Sequence, residues 1–572
     1  MKKPLLTALV ISSLSSSFNF AHATEKPFEI NLIGRALLNA QSPEGAAEIV
    51  AYQNSKKRIF AINGSGKTST VEIIDATKFN VSDLKQSAKG VTNNSNLSSV
   101  YTINLAEHTK GNANSIAIAE TQALAAVAIA ADKTCEKGSI AFYDISGDKP
   151  AFIKNVEVGY LPDMVTFTPD ETKVIVANEG EPSGDYLTDP EGSIGIITID
   201  NGKVADKATL LGFNQFNVQQ TKLEQQGMVF SNPNGQTIKG KKIVSTVAQD
   251  IEPEYVAVSK DSKKAYASLQ ENNGIAIVDL ATNTITLQGL GFKDWSKYKM
   301  DASDKDGGIN MKAYPGLYGM YQPDTLASYT VNGKSYVVIA NEGDGREYFF
   351  DAQDEDACKE QGGLDFDKKD GCLSFVNDIR AKKLTLTGNF NYLKNDETDI
   401  GRLKVNPQLG DKDGDGKYEA LYTFGGRSFS ILDSQGKMIF DSGDEIGLLT
   451  AKIHGQAFNN DEDENAGDAR SDAKGAEPEA LTVGQVGDRT YAFIGLERMG
   501  GVVVYDITEP SKAHYVDYFI NRGLEEGKAI TGDLAPEGMT FVSAENSATG
   551  KPLVIIGNEI SGSVAVWEIS SK

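Results

Sequence analysis

The sequence predicts an all-β fold, a seven-bladed β-propeller with loop insertions, and three observations predict it. The phrase LPDMVTFTPDETKVIVANEG (161–180) returns in altered form as IEPEYVAVSKDSKKAYASLQENNGIAIVDL, YQPDTLASYTVNGKSYVVIANEG, AEPEALTVGQVGDRTYAFIGLERMGGVVVYDI and APEGMTFVSAENSATGKPLVIIGNEISGSVAVWEI, with two fainter copies from Ala47 and Asn114. Each copy carries the same grammar: a Pro-acid pair, an alternating strand, a turn, and a second strand ending near Asn-Glu. A third strand closing on Asp or Glu often follows. The copies also bracket the chain, from near Ile30–Ala51 to Trp567-Glu568-Ile569. Self-similar units of three or four short strands are the mark of a propeller, in which each blade covers its neighbour's apolar face.

The elements follow in chain order. Lys2 and Lys3, the apolar run Leu5–Leu14 and the small-x-small site Ala21-His22-Ala23 read as a secretory signal cleaved near Ala23. Residues 24–572 are then one propeller domain, periplasmic or secreted. No later stretch is long and apolar enough to span a bilayer, so no transmembrane segment is expected. In the clearest unit, Val165, Phe167, Val174 and Val176 share one face, and Thr168-Pro169-Asp170-Glu171 supplies the turn. Seven units of about 40–45 residues account for about 300 residues. The rest is assigned to insertions at about 76–112, 201–248 (with a short helix in FNQFNVQQTKLEQQG), 281–320 and 349–420. Insertions in repeat arrays tend to gather on one face, often the binding face.

The net charge of −23 argues against nucleic acid or an anionic membrane as partner. It suits cation binding, or simply solubility. Of three cysteines, Cys358 and Cys372 flank a polar loop and are expected to pair, worth about 3 kcal/mol by loop closure. Cys135 reads as a partly buried free thiol, with a metal-binding thiolate as the alternative. A monomer is expected.

Two patterns carry chemistry. Asp411-Lys412-Asp413-Gly414-Asp415-Gly416-Lys417-Tyr418-Glu419 sets carboxylates at loop positions 1, 3, 5 and 9, with glycine at 6 and the Lys417 carbonyl at 7, around a calcium-sized hole. Position twelve is Tyr422, so this is no EF-hand. It looks like the D-x-D-x-D-G-x-x-[DE] calcium loops of integrin-type propellers. The second pattern emerges from aligning the copies. Asp163, Glu254, Asp324, Glu479 and Glu537 stack where the first strand starts, and Glu179, Glu271, Glu342, Glu497 and Glu559 where the second ends. Antiparallel pairing puts both sets at one end of the ring. Glu252 and Glu477 add carboxylates two residues earlier. So many acids at one mouth repel unless cations sit among them, although any one of them can instead brace neighbouring blades. Arg346, Arg427 and Arg498 lie close in sequence, either as ion-pair struts or as two-point clamps on a substrate oxyanion.

Two motifs are rejected. AINGSGKT (61–68) lacks the first P-loop glycine and sits in a β-repeat. His108, His454 and His514 occur in unlike contexts, so neither a histidine zinc site nor a Ser/His/Asp triad is expected.

The segments TVAQDIEPEYVAVS, GLYGMYQPDTLASY, ANEGDGREY, DKDGDGKYEALYTFGGRSFSILD, RSDAKGAEPEALTVG and VIIGNEISGSVAVWEI resemble the choice-of-anchor I family, over nearly the whole mature chain. That family includes proteins labelled alkaline-phosphatase-like and mesenchyme-specific cell-surface glycoproteins. The resemblance implies a secreted propeller. Members often carry a C-terminal anchor; this chain stops at Ser570-Ser571-Lys572, so a free protein is expected. The label suggests a calcium-dependent phosphoesterase acting on a small phosphorylated substrate, with calcium and a further divalent ion or iron in the mouth. Its candidate catalytic groups are Glu254, Glu479, Asp324, Glu342, Arg346, Arg427 and Arg498. The alternative is a non-catalytic, calcium-stabilised propeller recognising an extracellular glycan or protein.

Overall fold

A computed structural model describes residues 26–38, 45–133 and 135–571; the expected signal segment lies outside them. The repeated units become antiparallel sheets that succeed one another in the chain. The first runs from Ala46–Gln53 through Arg58–Asn63 and Thr70–Asp75 to Ser99–Asn104. The third runs from Pro162–Phe167 through Lys173–Asn178 and Ser193–Asp200 to Thr209–Gly212. Among the described residues seven such sheets form the ring. Their first strands line a central channel, each touching the next, and Pro536–Val542 of the last sheet meets Ala46–Gln53 of the first.

Each junction between neighbouring blades is sealed by its own apolar cluster. Ile59 and Ala61 meet Leu553 and Ile555 between the last and first blades; Phe60 and Ile62 meet Val127 and Ile129 at the next junction. A strand with a continuous apolar run, such as Val174-Ile175-Val176 (none accessible to solvent), is sandwiched by blades on both faces. Fully burying each such side chain contributes about 1.5–3 kcal/mol.

The N-terminal strand Phe28–Leu37 closes the ring. It pairs antiparallel with Ser563–Ser571, from Phe28 opposite Ser571 to Leu37 opposite Ser563, with a bulge between Leu32 and Gly34. Gly34 is required there: a Cβ would lie 2.8 Å from Phe79 and Leu97 of the following insertion. Beside it the fully buried Arg35 binds Asp533 at 2.7 Å and the carbonyls of Asn93 and Gly532.

Three of the expected insertions turn out to contain the outermost strand of a blade: Ser99–Asn104, Thr209–Gly212 and Thr284–Gly289. The first two are largely open to solvent, which is why they read as loop, whereas Thr284–Gly289 buries Ile285 and Leu287 against its blade and was missed although it alternates. The short helix is Gln220–Glu224. The insertion at 349–420 leaves the ring between Asn341 and Ser428. Its first part is a three-stranded sheet with the helix Glu355–Glu360, tied by a Cys358–Cys372 disulfide. Its second part shares a mixed sheet with residues 292–320, around Trp295, Tyr314, Ile400 and Leu421. Cys135 is a free, half-buried thiol. Among the described residues no helix is long and apolar enough to cross a membrane.

Candidate metal centre at the channel mouth

The acids reach the channel through a local device. In four blades a residue with positive φ precedes the proline: Leu161 (46°), Gln322 (48°), Glu477 (55°) and Ala535 (60°). The first strand then bulges. Pro162 pairs with Asn178 but Val165 with Val176, so Asp163 and Met164 stand against one partner residue. The same shift follows Pro478 and Pro536, and the first two blades bulge at the matching place. A bulge re-aims a side chain that a regular strand would send into the sheet. Here it turns the acid toward the axis.

A cavity of about 190 Å³ results, walled by Glu48, Asn114, Asp163, Glu179, Glu254, Asp324 and Glu537, with Ile49, Met164 and Tyr255 beneath them. Glu48 and Asn114 were not foreseen. They occupy the ring position in blades that lack the Pro-acid pair, as Ala46-Ala47-Glu48 and Ala113-Asn114. Glu181, also unforeseen, accepts a bond from the Tyr348 hydroxyl at 3.4 Å.

Burial, then mutual repulsion, pushes these carboxyls up. Asp163 rises to about 7, with Glu181 adding to burial; Glu537 rises to about 8, with Glu559 adding. Burial takes Glu271 to about 7, partly offset by Arg346. Glu48, Glu179, Glu254, Asp324, Glu479 and Glu497 also stand well above the carboxylate range, each from burial first. Buried polar atoms ordinarily find partners, yet Glu252 Oε1, Glu254 Oε2, Glu271 Oε2 and Glu479 Oε2 have none.

Two groups of three carboxylates bring oxygens within 4.8 Å of one another: Asp324–Glu342–Glu479 and Glu342–Glu477–Glu497. The second is already neutralised. Lys474 Nζ lies 2.5 Å from Glu342 and 3.2 Å from Glu477. Arg470 and Arg498 bind Glu477 at 2.8 and 3.3 Å, and Arg498 reaches Glu497 at 3.1 Å. The first group holds the orphaned Glu479 Oε2. Its all-oxygen donor set suits a hard cation such as calcium, magnesium or manganese better than iron.

The arginines separate. Arg346 is a buried strut, its guanidinium 2.9 Å from both Asp250 and Glu252 and 3.0 Å from Asn232. Arg427 points away from the mouth, donating to the carbonyls of Asp301, Ser471 and Ala473. Neither guanidinium is free to clamp a substrate, which corrects that expectation for both. Arg498 is engaged as well, its three guanidinium nitrogens meeting Glu462, Glu477 and Glu497.

The acidic loop is divided as well. Asp411, Asp413 and Glu419 bring oxygens within 4.8 Å of one another. Asp411 accepts the amides of Gly414 and Gly416 at 2.9 Å, and Gly414 and Gly416 take φ of 77° and 80°. Asp415 falls outside this group, its carboxylate 2.8 Å from Lys417 Nζ.

The family model of the choice-of-anchor I domain matches residues 48–510. The chain belongs to this family. Gigasin-3a of Magallana gigas is 28% identical over 184 residues, covering 30% of this choice-of-anchor I chain and 64% of that protein. A mesenchyme-specific cell surface glycoprotein of Strongylocentrotus purpuratus is 28% identical over 279 residues, covering 46% of the chain and 35% of that protein. The chain thus aligns with less than two thirds of either relative's length. Among solved structures, Kuenenia stuttgartiensis hydrazine synthase (TM-score 0.45, 13% identity, 94% of this chain and 99% of that one) and the WD40 domain of Toxoplasma gondii coronin (0.43, 7%, 96% and 87%) are similar.

Proposed function

We propose that this choice-of-anchor I propeller works outside the cytoplasm and holds a hard divalent cation, calcium above all, at its mouth on Asp324, Glu342 and Glu479. The observation that carries the reading is Glu479 Oε2: a carboxylate oxygen of a residue 7% exposed that no amide, hydroxyl or cationic donor meets, in a side chain whose carboxyl faces those of Glu497 and Glu537 inside a group of converging acids. Such an atom is costly unless a proton or a cation meets it. The Cys358–Cys372 disulfide and the relative named as a cell surface glycoprotein support an oxidising, extracytoplasmic setting. A second calcium position is proposed on Asp411, Asp413 and Glu419.

The activity that fits such a centre is hydrolysis of a small phosphoester. A bound ion reverses the sign of the acidic mouth and so admits phosphate; it supplies Lewis acidity and lowers the pKa of bound water. The chain's own contribution is positioning. Glu342 and Glu479 hold the ion with Asp324, and Asp324 also lines the neighbouring cavity whose wall includes Ile49, Met164 and Tyr255. The experiment is hydrolysis of an aryl phosphate by full-length protein stripped with chelator and then reloaded with calcium, beside Glu479→Gln. Activity that needs calcium and is lost in Glu479→Gln supports the reading. Absence of activity in fully loaded protein leaves a calcium-stabilised binding propeller. The internal use of Arg346 and Arg427 as struts is the observation that favours this second reading.

A further inference from the structure

The two carboxylate groups of the mouth share one residue, Glu342, and differ in what meets them. Asp324–Glu342–Glu479 contains an orphaned oxygen. Glu342–Glu477–Glu497 contains an ammonium: Lys474 Nζ, with its side chain 13% exposed, sits 2.5 Å from Glu342 Oε1 and 3.2 Å from Glu477 Oε2. Arg470 holds the other oxygen of Glu477 and Arg498 bridges Glu477 and Glu497, so that of these cations Lys474 alone touches the shared Glu342. A third carboxylate, Asp344, lies 3.4 Å from Lys474 Nζ. The other oxygen of Glu342 accepts from Gln270 Nε2 at 2.6 Å, which fixes the carboxylate plane between the two groups. Centres that handle phosphoryl oxygens often place two ions about 3.5–4 Å apart, joined by a shared carboxylate. Here the shared carboxylate is present, and one of the two positions is filled by the protein itself.

We propose that Lys474 is the built-in second cation of the mouth: one divalent ion takes Asp324–Glu342–Glu479, while the ammonium, backed by Arg470 and Arg498 on Glu477 and Glu497, fills the edge between Glu342 and Glu477 and excludes a second ion. The proposal rests on the reading of the mouth as a cation centre. It makes Lys474 a specificity-determining residue, since an oxyanion bridging the centre would meet one metal ion and one hydrogen-bond donor instead of two metal ions. Lysine suits that position because its ammonium is a compact point charge, unlike the planar fork of arginine.

The test counts calcium bound per chain by equilibrium dialysis, with full-length wild type, Lys474→Met, Lys474→Met/Glu477→Gln and Glu479→Gln. Methionine keeps the bulk and removes the charge, so Lys474→Met should bind one calcium more than wild type. The double variant removes a ligand of the vacated position and should return to the wild-type count. Glu479→Gln should bind one fewer. If Glu479→Gln loses an ion and Lys474→Met gains none, the lysine proposal falls and the cation centre stands. If Glu479→Gln loses none, the reading of the mouth itself falls. Should Lys474→Met be unstable in chelator, calcium should restore its melting temperature to within a few degrees of wild type. A variant that calcium does not rescue overturns the proposal.

Discussion

Chelation combined with a pH series exposes the crowded carboxyls directly. Asp163 and Glu271 titrate at about 7 and Glu537 at about 8 in the folded protein, against about 4 in an unfolded chain. Where a folded pKa is raised, the native state keeps a proton that the unfolded chain has released, so stability falls as pH climbs. The loss begins near pH 4 and is complete above pH 7 to 8. Each proton so held changes stability by about 1.4 kcal/mol per pH unit. The three residues are half-buried, and Asp163 and Glu537 line a cavity, so solvent screens them in part. One net proton is therefore the expected size, a loss of about 3 kcal/mol between pH 5 and 7. Calcium on Asp324, Glu342 and Glu479, whose carboxyls burial also raises, competes with protons there, so the stability it adds should grow from pH 5 to pH 8. The assay is urea unfolding followed by tryptophan fluorescence and circular dichroism, from pH 5 to 8, in chelator and in calcium. Stability in chelator that stays level or rises over this range would refute the reasoning, as would an equal calcium effect at pH 5 and pH 8.

Four other perturbations separate the parts. Asp411→Ala with Asp413→Ala should remove one bound calcium by equilibrium dialysis, whereas Asp415→Ala should leave the count unchanged, because its partner is Lys417. Arg346→Ala strands the carboxylates of Asp250 and Glu252 in the interior and should cost about 3–5 kcal/mol in urea unfolding; a cost under 1 kcal/mol would mean the strut is dispensable. Arg35→Met should likewise lower the melting temperature, by leaving Asp533 buried without its partner at the ring closure. Cys358→Ser with Cys372→Ser should lower stability by about 3 kcal/mol, read as loss of calorimetric melting temperature, if the hairpin melts together with the ring.

The inner strands were legible because both faces of each blade are covered, so Val174, Ile175, Val176 and their counterparts could only be apolar. Pro-acid pairs likewise marked the channel lining, since the left-handed residue before each proline and the bulge after it are written locally. Outer strands such as Ser99–Asn104 were not, because an edge half in solvent carries no such constraint. Glu48 and Asn114 were missed for the lack of a proline, although aligning the faint first copies on their strand starts would have stacked them with Asp163. Lys474 was beyond reach of local pattern: it meets Glu342 across 132 residues of chain. Arg346 could be read as a strut or as an oxyanion clamp from its place beside acids in NEGDGREY, and it is a strut. It turns inward only because Asp250 and Glu252 arrive from the neighbouring blade.

The most direct test of the cation centre is the calcium content of protein in which the Asp411–Glu419 loop has been disabled, compared with the same protein carrying Glu479→Gln. The account predicts at least one calcium per chain in the first, located by diffraction between Asp324, Glu342 and Glu479, and one fewer in the second. Protein that binds no calcium once the loop is disabled, yet stays folded at pH 8 in chelator, would contradict it.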